Sequence, residues 1–283
     1  MSSPRAAILV AALCAAASPH LLSGQATAVA PRSADAVAEL VTDRPDVTES
    51  ASIVPPGWLQ AEAGVSHEEA GIRTFAVPGT LVRIGVAPWV EMRLGWSGLI
   101  DREGDCAPGA AAAACETSGA GDAEAGVKVL LVERAGARPD FALIPSVSLP
   151  LGDEDVTSDG LDPSLTAAVA NDVSSAVGWG VNAGVASVSP GRGPIDERSA
   201  LAFWSGSLGF DLGERLGSFL EYFGEAPEGE PALHAVDTGF TWLVTPHVQL
   251  DASAGVGLTD RSPDLFIGAG LAFRADLFGR EEP

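Results

Sequence analysis

Between residues 58 and 274 the sequence repeats one short pattern about twelve times, with an apolar residue at every second position. The pattern is clearest in Val248–Leu258, where valine, leucine and alanine alternate with glutamine, aspartate, serine and glycine. A β-strand directs successive side chains to opposite faces, so each repeat predicts a strand with one apolar and one polar face. About a dozen such strands in one chain favour a sheet that closes on itself.

The joins between the repeats alternate short and long along the chain. Ala87–Pro88 and Thr245–Pro246 are typical short joins, whereas residues 67–72 and 100–122 are typical long ones. Outer-membrane barrels have short periplasmic turns and long outer loops, and a Greek-key sandwich has no reason to alternate in this way. The sequence therefore predicts an all-β, antiparallel transmembrane β-barrel of about twelve strands over residues 57–275, with both termini on the periplasmic side.

The polar face of the repeats is rich in glycine, which accounts for 33 of the 283 residues. A barrel of this size encloses a lumen too wide for one layer of valine, leucine and alanine to fill. The polar face is therefore expected to line the lumen, and the apolar face is expected to contact lipid. A soluble barrel would turn its apolar face inward instead.

Both ends of the chain differ from the repeats. Residues 1–26 are predicted to be an export signal, because Arg5 provides a positive end and Ala6–Ala17 an apolar core. Residues 27–56 do not alternate, and we expect either a periplasmic tail or a plug that folds into the barrel. Residues 276–283 are predicted to form a C-terminal tail.

Charge and cysteine content limit the partners. The chain has 38 acidic and 16 basic residues, which argues against nucleic acid as a partner. Cys106 and Cys115 would meet oxidising conditions after export, so a disulfide between them is expected, and no metal or other cofactor. The loop Gly152–Asp162 offers oxygen ligands that suit calcium, but its spacing is not that of an EF-hand, so a solvated loop is favoured.

The ionisable residues on the polar face are candidates for lining a pore. They are Glu62, Arg83, Glu91, Arg93, Lys128, Asp211, Glu221 and Asp251. Charges in a lumen set solute preference, but opposite charges on neighbouring strands can also pair and stabilise the wall. In the preceding segment Asp43, Arg44 and Asp46 could form a latch, with Arg44 reaching an inward carboxylate such as Glu62 or Glu221. The alternative is a soluble leader.

Catalysis has little support in the sequence. The four histidines are His20, His67, His234 and His247. None stands at a convincing nucleophile–base spacing from serine and aspartate, so no enzymatic activity is expected.

Several short sequences occur in an order that is specific. They are Thr42–Asp46, Gln60–Glu62, Gly79–Val86, Glu91–Arg93, Gly126–Lys128, Phe219–Gly224 and Asp264–Leu271. Together they resemble a family of outer-membrane transporters named for the MetA pathway of phenol degradation, over roughly residues 41–275. The resemblance implies a β-barrel envelope protein with a role in the passage of aromatic or other hydrophobic compounds. One departure is that a tail follows Phe273, whereas barrel proteins commonly end on an aromatic residue that the assembly machinery reads.

We therefore expect a monomeric channel in the outer membrane of a Gram-negative-type bacterium, passive and selective for small hydrophobic or aromatic solutes. Its expected partners are outer-membrane lipid, the solute and the barrel-assembly machinery. The alternatives are a non-transporting structural or surface-binding barrel and, third, a soluble periplasmic barrel that binds a lipophilic ligand.

Overall fold

The computed structural model describes residues 40–104, 116–189 and 198–278, so the predicted export signal, Cys106 and Cys115 lie outside the described residues. No helix in the described ranges is long and apolar enough to cross a membrane. The strands are β1 (Trp58–Glu69), β2 (Ile72–Ala87), β3 (Val90–Trp96), β4 (Leu99–Gly104), β5 (Glu116–Ala120), β6 (Ala123–Val132), β7 (Asp140–Leu149), β8 (Asp162–Ser174), β9 (Val177–Val188), β10 (Ser199–Asp211), β11 (Leu216–Pro227), β12 (Leu233–Thr245), β13 (Val248–Gly257) and β14 (Leu265–Asp276).

The sheet closes because β1 pairs with β14 on one side and with β2 on the other, both antiparallel. From β6 to β14 each strand pairs with its neighbours in sequence, and β6 pairs with β3. The hairpin of β4 and β5 is not part of the ring, since it pairs only with Ile72–Val77 of β2. The other twelve strands form the closed antiparallel barrel, and the predicted fold class is confirmed.

The two mouths of the barrel differ, as the alternating joins predict. The turns after β2, β6, β8, β10 and β12 lie at the mouth where β1 begins and β14 ends, here called the short-turn mouth. At the opposite, long-loop mouth two expectations are wrong. Residues 67–72 are not a long loop, because only Ala70 and Gly71 separate β1 from β2, and residues 100–122 include β4 and β5. Beyond the lipid both faces of a strand meet water, so strands can continue there without alternating.

The polarity of the wall is the inverse of a soluble core. On β13 Leu250 and Val256 are 41% and 45% exposed, whereas Gln249 and Asp251 are 5% and 6% exposed. Other strands repeat this arrangement with Leu94, Val181, Leu208, Leu220, Phe240 and Leu271 on the outside. The outer face is thus the apolar belt that a bilayer requires, and the inner face is polar.

Residues 40–56, here called the inner segment, lie inside the barrel. The Gln60 side chain, near the start of β1, donates to the Val41 carbonyl (2.7 Å), which puts one end of the segment near the short-turn mouth. The other end returns there, where the Gly57 N–H donates to the Gly85 carbonyl (2.9 Å). A Cβ atom at Gly85 would collide with the Val54 and Pro55 carbonyls, so this glycine lets the segment's backbone lie against the wall.

Candidate functional site

Three buried cations project from one side of the inner wall. Arg83 and Arg93 stand directly opposite each other on β2 and β3, and Lys128 follows on β6 opposite Glu91. Like charges this close repel strongly in a low-dielectric interior unless carboxylates compensate them. The arrangement therefore requires several acidic partners in the same small volume.

The wall itself provides two of these partners. Glu91 accepts a two-pronged contact from Arg83, with Nε–Oε1 at 2.9 Å and Nη2–Oε2 at 3.0 Å. Glu62 on β1 approaches Arg83 Nη1 at 3.4 Å and accepts a hydrogen bond from the Asp43 N–H at 2.9 Å. Two wall carboxylates thus face three wall cations, which leaves positive charge for the inner segment to balance.

The inner segment brings two carboxyl groups to these cations, those of Asp43 and Glu49, and Asp43 provides the negative charge. Asp43 accepts hydrogen bonds from Lys128 Nζ at 2.9 Å and from Arg93 Nη1, and it is completely buried. Burial alone would raise the pKa of Asp43, but the charges of Arg83, Lys128 and Arg93 outweigh it and hold the pKa well below its usual value.

Glu49 provides the second carboxyl group that the inner segment brings to the wall cations. Both of its carboxylate oxygens accept from Arg93 Nη2, at 2.7 and 2.8 Å. Its backbone is also fixed, since its N–H donates to Asn182 Oδ1 (2.6 Å) and its carbonyl accepts from Asn182 Nδ2 (3.0 Å). Burial outweighs the attraction of Arg93 and raises the pKa of Glu49 to about 8.

The opposite side of the wall is acidic and carries Glu221, Asp237 and Asp251 on β11, β12 and β13. Glu221 accepts from the Val47 N–H (2.6 Å) and from the Thr48 hydroxyl. The charge distribution of the wall therefore matches the inner segment, whose acids face the cations and whose backbone donors face an acid.

Arg44 is the segment's positive contact with the acidic side. Its Nη2 donates to Asp251 Oδ1 at 3.2 Å, so the inward carboxylate that Arg44 reaches is Asp251 and not one of the two examples, Glu62 and Glu221. Gly64 and Gly270 stand opposite each other on β1 and β14, and a Cβ atom at either would collide with the Arg44 guanidinium. The two glycines form a recess of the size and position that this side chain needs.

The structure places most of the predicted residues around the inner segment. Glu62, Arg83, Glu91, Arg93, Lys128, Glu221 and Asp251 are buried there, as are Asp43, Arg44 and Asp46. Asp211 is the exception, because it ends β10 at the short-turn mouth and is exposed to solvent. Sequence reasoning missed Gln60, Asn182, Asp237 and Gln249. Each has the inward parity of its strand, so extending the alternation to uncharged polar residues and to the full length of β12 identifies them.

A cavity of about 1310 Å³, counting its open mouth, lies between the inner segment and the long loops. Pro45 and Val47 of the segment close it from below. Its walls are largely apolar and include Val188, Phe223 and Phe266. The rings of Phe223 and Phe266 meet edge to face, with centroids 5.6 Å apart. This is a space suited to a small apolar or aromatic molecule.

In residues 40–104, 116–189 and 198–278 no group of three or more His, Cys, Asp or Glu side chains is arranged to hold a metal ion. In the acidic loop before β8, Asp153 and Asp162 have protein partners. Asp153 Oδ2 accepts from the Ala120 N–H at 2.7 Å, and Asp162 Oδ2 accepts from the Ser158 hydroxyl at 2.6 Å.

Solved outer-membrane proteins share this fold. The COG4313 outer membrane channel from Pseudomonas putida F1 is 13% identical, with 80% of this chain and 98% of that chain covered and a TM-score of 0.58. The NanC porin is 8% identical, with 76% and 98% covered and a TM-score of 0.53. At these identities the likeness shows the fold alone, and that fold places the chain in the outer membrane.

Comparisons by sequence give one match. The family model described as "Putative MetA-pathway of phenol degradation" matches residues 42–275, which includes most of the inner segment and almost all of the barrel. No curated protein matches the sequence.

Proposed function

Since the chain belongs to the family of the putative MetA pathway of phenol degradation, we propose that it is a passive outer-membrane channel for small apolar or aromatic solutes. The observation that carries the proposal is the cavity, which is open at the long-loop mouth, lined by Phe223 and Phe266, and closed below by the inner segment. An apolar molecule gains free energy on leaving water for such a surface, at about 25 cal/mol for each Å² buried.

In the proposed mechanism the inner segment is the gate. It fills the barrel below the cavity and is fixed to the wall by ion pairs and hydrogen bonds. A solute in the cavity can continue toward the periplasm only when the segment moves. Interactions of this kind can break and reform without unfolding the barrel, whose strands are held by their own ladder of backbone hydrogen bonds.

A reversible cross-link tests the channel and its gate together. The Thr48 and Ser205 hydroxyl oxygens lie 2.8 Å apart, so the pair Thr48→Cys and Ser205→Cys is well placed for a disulfide between the segment and β10. Cys106→Ser and Cys115→Ser in the same protein prevent wrong pairing. Conductance is recorded in planar bilayers, and small aromatic solutes are added on the outer side.

Unmodified protein should show current steps that the aromatic solutes reduce while they occupy the cavity. Oxidation of the double-cysteine protein should abolish the steps and a reductant should restore them, while each single-cysteine protein should be insensitive to both treatments. Unmodified protein without any conductance would overturn the channel and favour a structural barrel. Full conductance in the oxidised double-cysteine protein would retain the channel but overturn the gate.

A further inference from the structure

Asp237 is a buried carboxyl group at the apolar cavity with one oxygen atom left unsatisfied. Its side chain lines the cavity and is 4% exposed. Asp237 shares a hydrogen bond with Glu221, its direct neighbour on β11. Oδ1 has no hydrogen-bond partner within residues 40–104, 116–189 and 198–278. Because an unsatisfied buried acceptor is costly, such an atom needs an explanation.

The surroundings of Asp237 explain why the protein does not satisfy this oxygen itself. The residue opposite on β13 is Gly255, which has no side chain to donate a hydrogen bond. A Cβ atom at Gly255 would lie 2.5 Å from the Asp237 Cβ and would collide with the ring of Phe266. Arg44, the segment's cation at this cavity, is committed to Asp251. The wall thus places a bare acceptor beside an aromatic ring.

We propose that Asp237 Oδ1 accepts a hydrogen bond from the solute, so that the cavity prefers apolar rings that carry a hydroxyl or amino group over hydrocarbons of the same shape. The rings of Phe223 and Phe266 contact the apolar body of the solute, and Asp237 orients its single donor. This inference rests on the proposed function, because it takes the cavity to be the solute's binding site.

Two probes of equal size separate the hydrogen bond from apolar burial. Benzyl alcohol and ethylbenzene differ only in a hydroxyl or a methyl group at the end of the side chain. Their binding to the full-length protein in lipid nanodiscs is measured by calorimetry, with empty nanodiscs subtracted. Benzyl alcohol should bind at least about tenfold more tightly at equal free concentration, since a site that hydrogen-bonds a hydroxyl group rejects the analogue lacking it.

Asp237→Val should remove this preference and leave ethylbenzene binding equal or tighter. The matched control is Asp211→Asn, which changes a carboxylate that lies outside the cavity and should keep the full preference. Equal binding of both probes to unmodified protein, or an unchanged preference in Asp237→Val, would overturn the inference.

A second measurement does not depend on any variant. In a crystal of the unmodified protein with 4-bromobenzyl alcohol, anomalous scattering locates the bromine atom and hence the ring. The hydroxyl group should lie within hydrogen-bond distance of Asp237 Oδ1, and a ring bound with its hydroxyl elsewhere would contradict the inference. A preference for benzyl alcohol in a protein without conductance would refute the channel but retain the binding site. Conductance without this preference would retain the channel but refute the role of Asp237.

Discussion

The substitution Asp43→Asn removes one negative charge from the centre of the contact between the inner segment and the wall. The amide has nearly the same shape as the carboxylate, so packing changes little. Asp43 is completely buried among Arg83, Arg93 and Lys128, and removal of one partner from a buried ion-pair network costs about 3–5 kcal/mol. Each ~1.4 kcal/mol corresponds to a tenfold change, so the docking equilibrium should fall by about two to four orders of magnitude.

Hydrogen exchange measured by mass spectrometry follows this change directly. Amides of the inner segment, including the Ser50 N–H that donates to Asp43 Oδ1 (3.0 Å), should exchange faster by the same factor, whereas strand amides should keep their protection. Asp260→Asn, at an exposed aspartate in the loop after β13, is the matched control and should leave both sets unchanged. If exchange in the Asp43→Asn segment stays within about twofold of normal, the ion-pair network is not what holds the segment.

Three further perturbations act on the same contact. Arg44→Glu places a second carboxylate beside Asp251, so it should loosen the segment and raise the conductance. Adding Asp251→Arg restores a pair of opposite charges and should return the channel to the closed state. Equal conductance in the single and double variants would contradict the pairing. Burial raises the pKa of Glu49 from 4.5 to about 8, so the docked segment favours the protonated form of this residue. The contribution of Glu49 to docking of the segment is therefore fully present below pH 4.5 and is lost as the pH rises through about 8. Conductance should therefore rise from pH 5 to pH 8.5, and Glu49→Gln should reduce that rise; the same pH profile in both proteins would exclude Glu49 as the cause. Gly270→Leu should displace the Arg44 guanidinium and accelerate hydrogen exchange in the inner segment. Gly136→Ala, at an exposed turn, should leave exchange in the segment unchanged. Normal protection in Gly270→Leu would show that the recess is dispensable.

The barrel was predictable because lipid and a polar interior impose opposite demands on alternate residues of every strand. Val248–Leu258 shows this, since the inward and outward residues read from the sequence are the buried and exposed residues of β13. The same reasoning fails at Leu99–Gly104, which forms a strand although charged residues occupy three consecutive positions, Asp101, Arg102 and Glu103.

The candidate site was only partly predictable for a different physical reason. Alternation tells which face a residue occupies but not which residues meet across the lumen. Arg44 and Asp251 are 207 positions apart, and their pairing depends on how far the inner segment enters the barrel. Asp237 was missed because the alternation in β12 is clear only from Gly239 onward, although the strand begins at Leu233.

The course of the inner segment has a topological consequence. Val41 and Gly57 are both held near the short-turn mouth, and Pro45 and Val47, near the middle of the segment, reach the cavity. The segment thus enters the barrel and leaves it through the same mouth, with its middle deepest in the lumen. A segment with this course can be withdrawn without threading a chain end through the barrel and without opening any strand pair. A pull on Leu40 directed out of the short-turn mouth would therefore clear the lumen in one movement, and on release the segment could return along the same path.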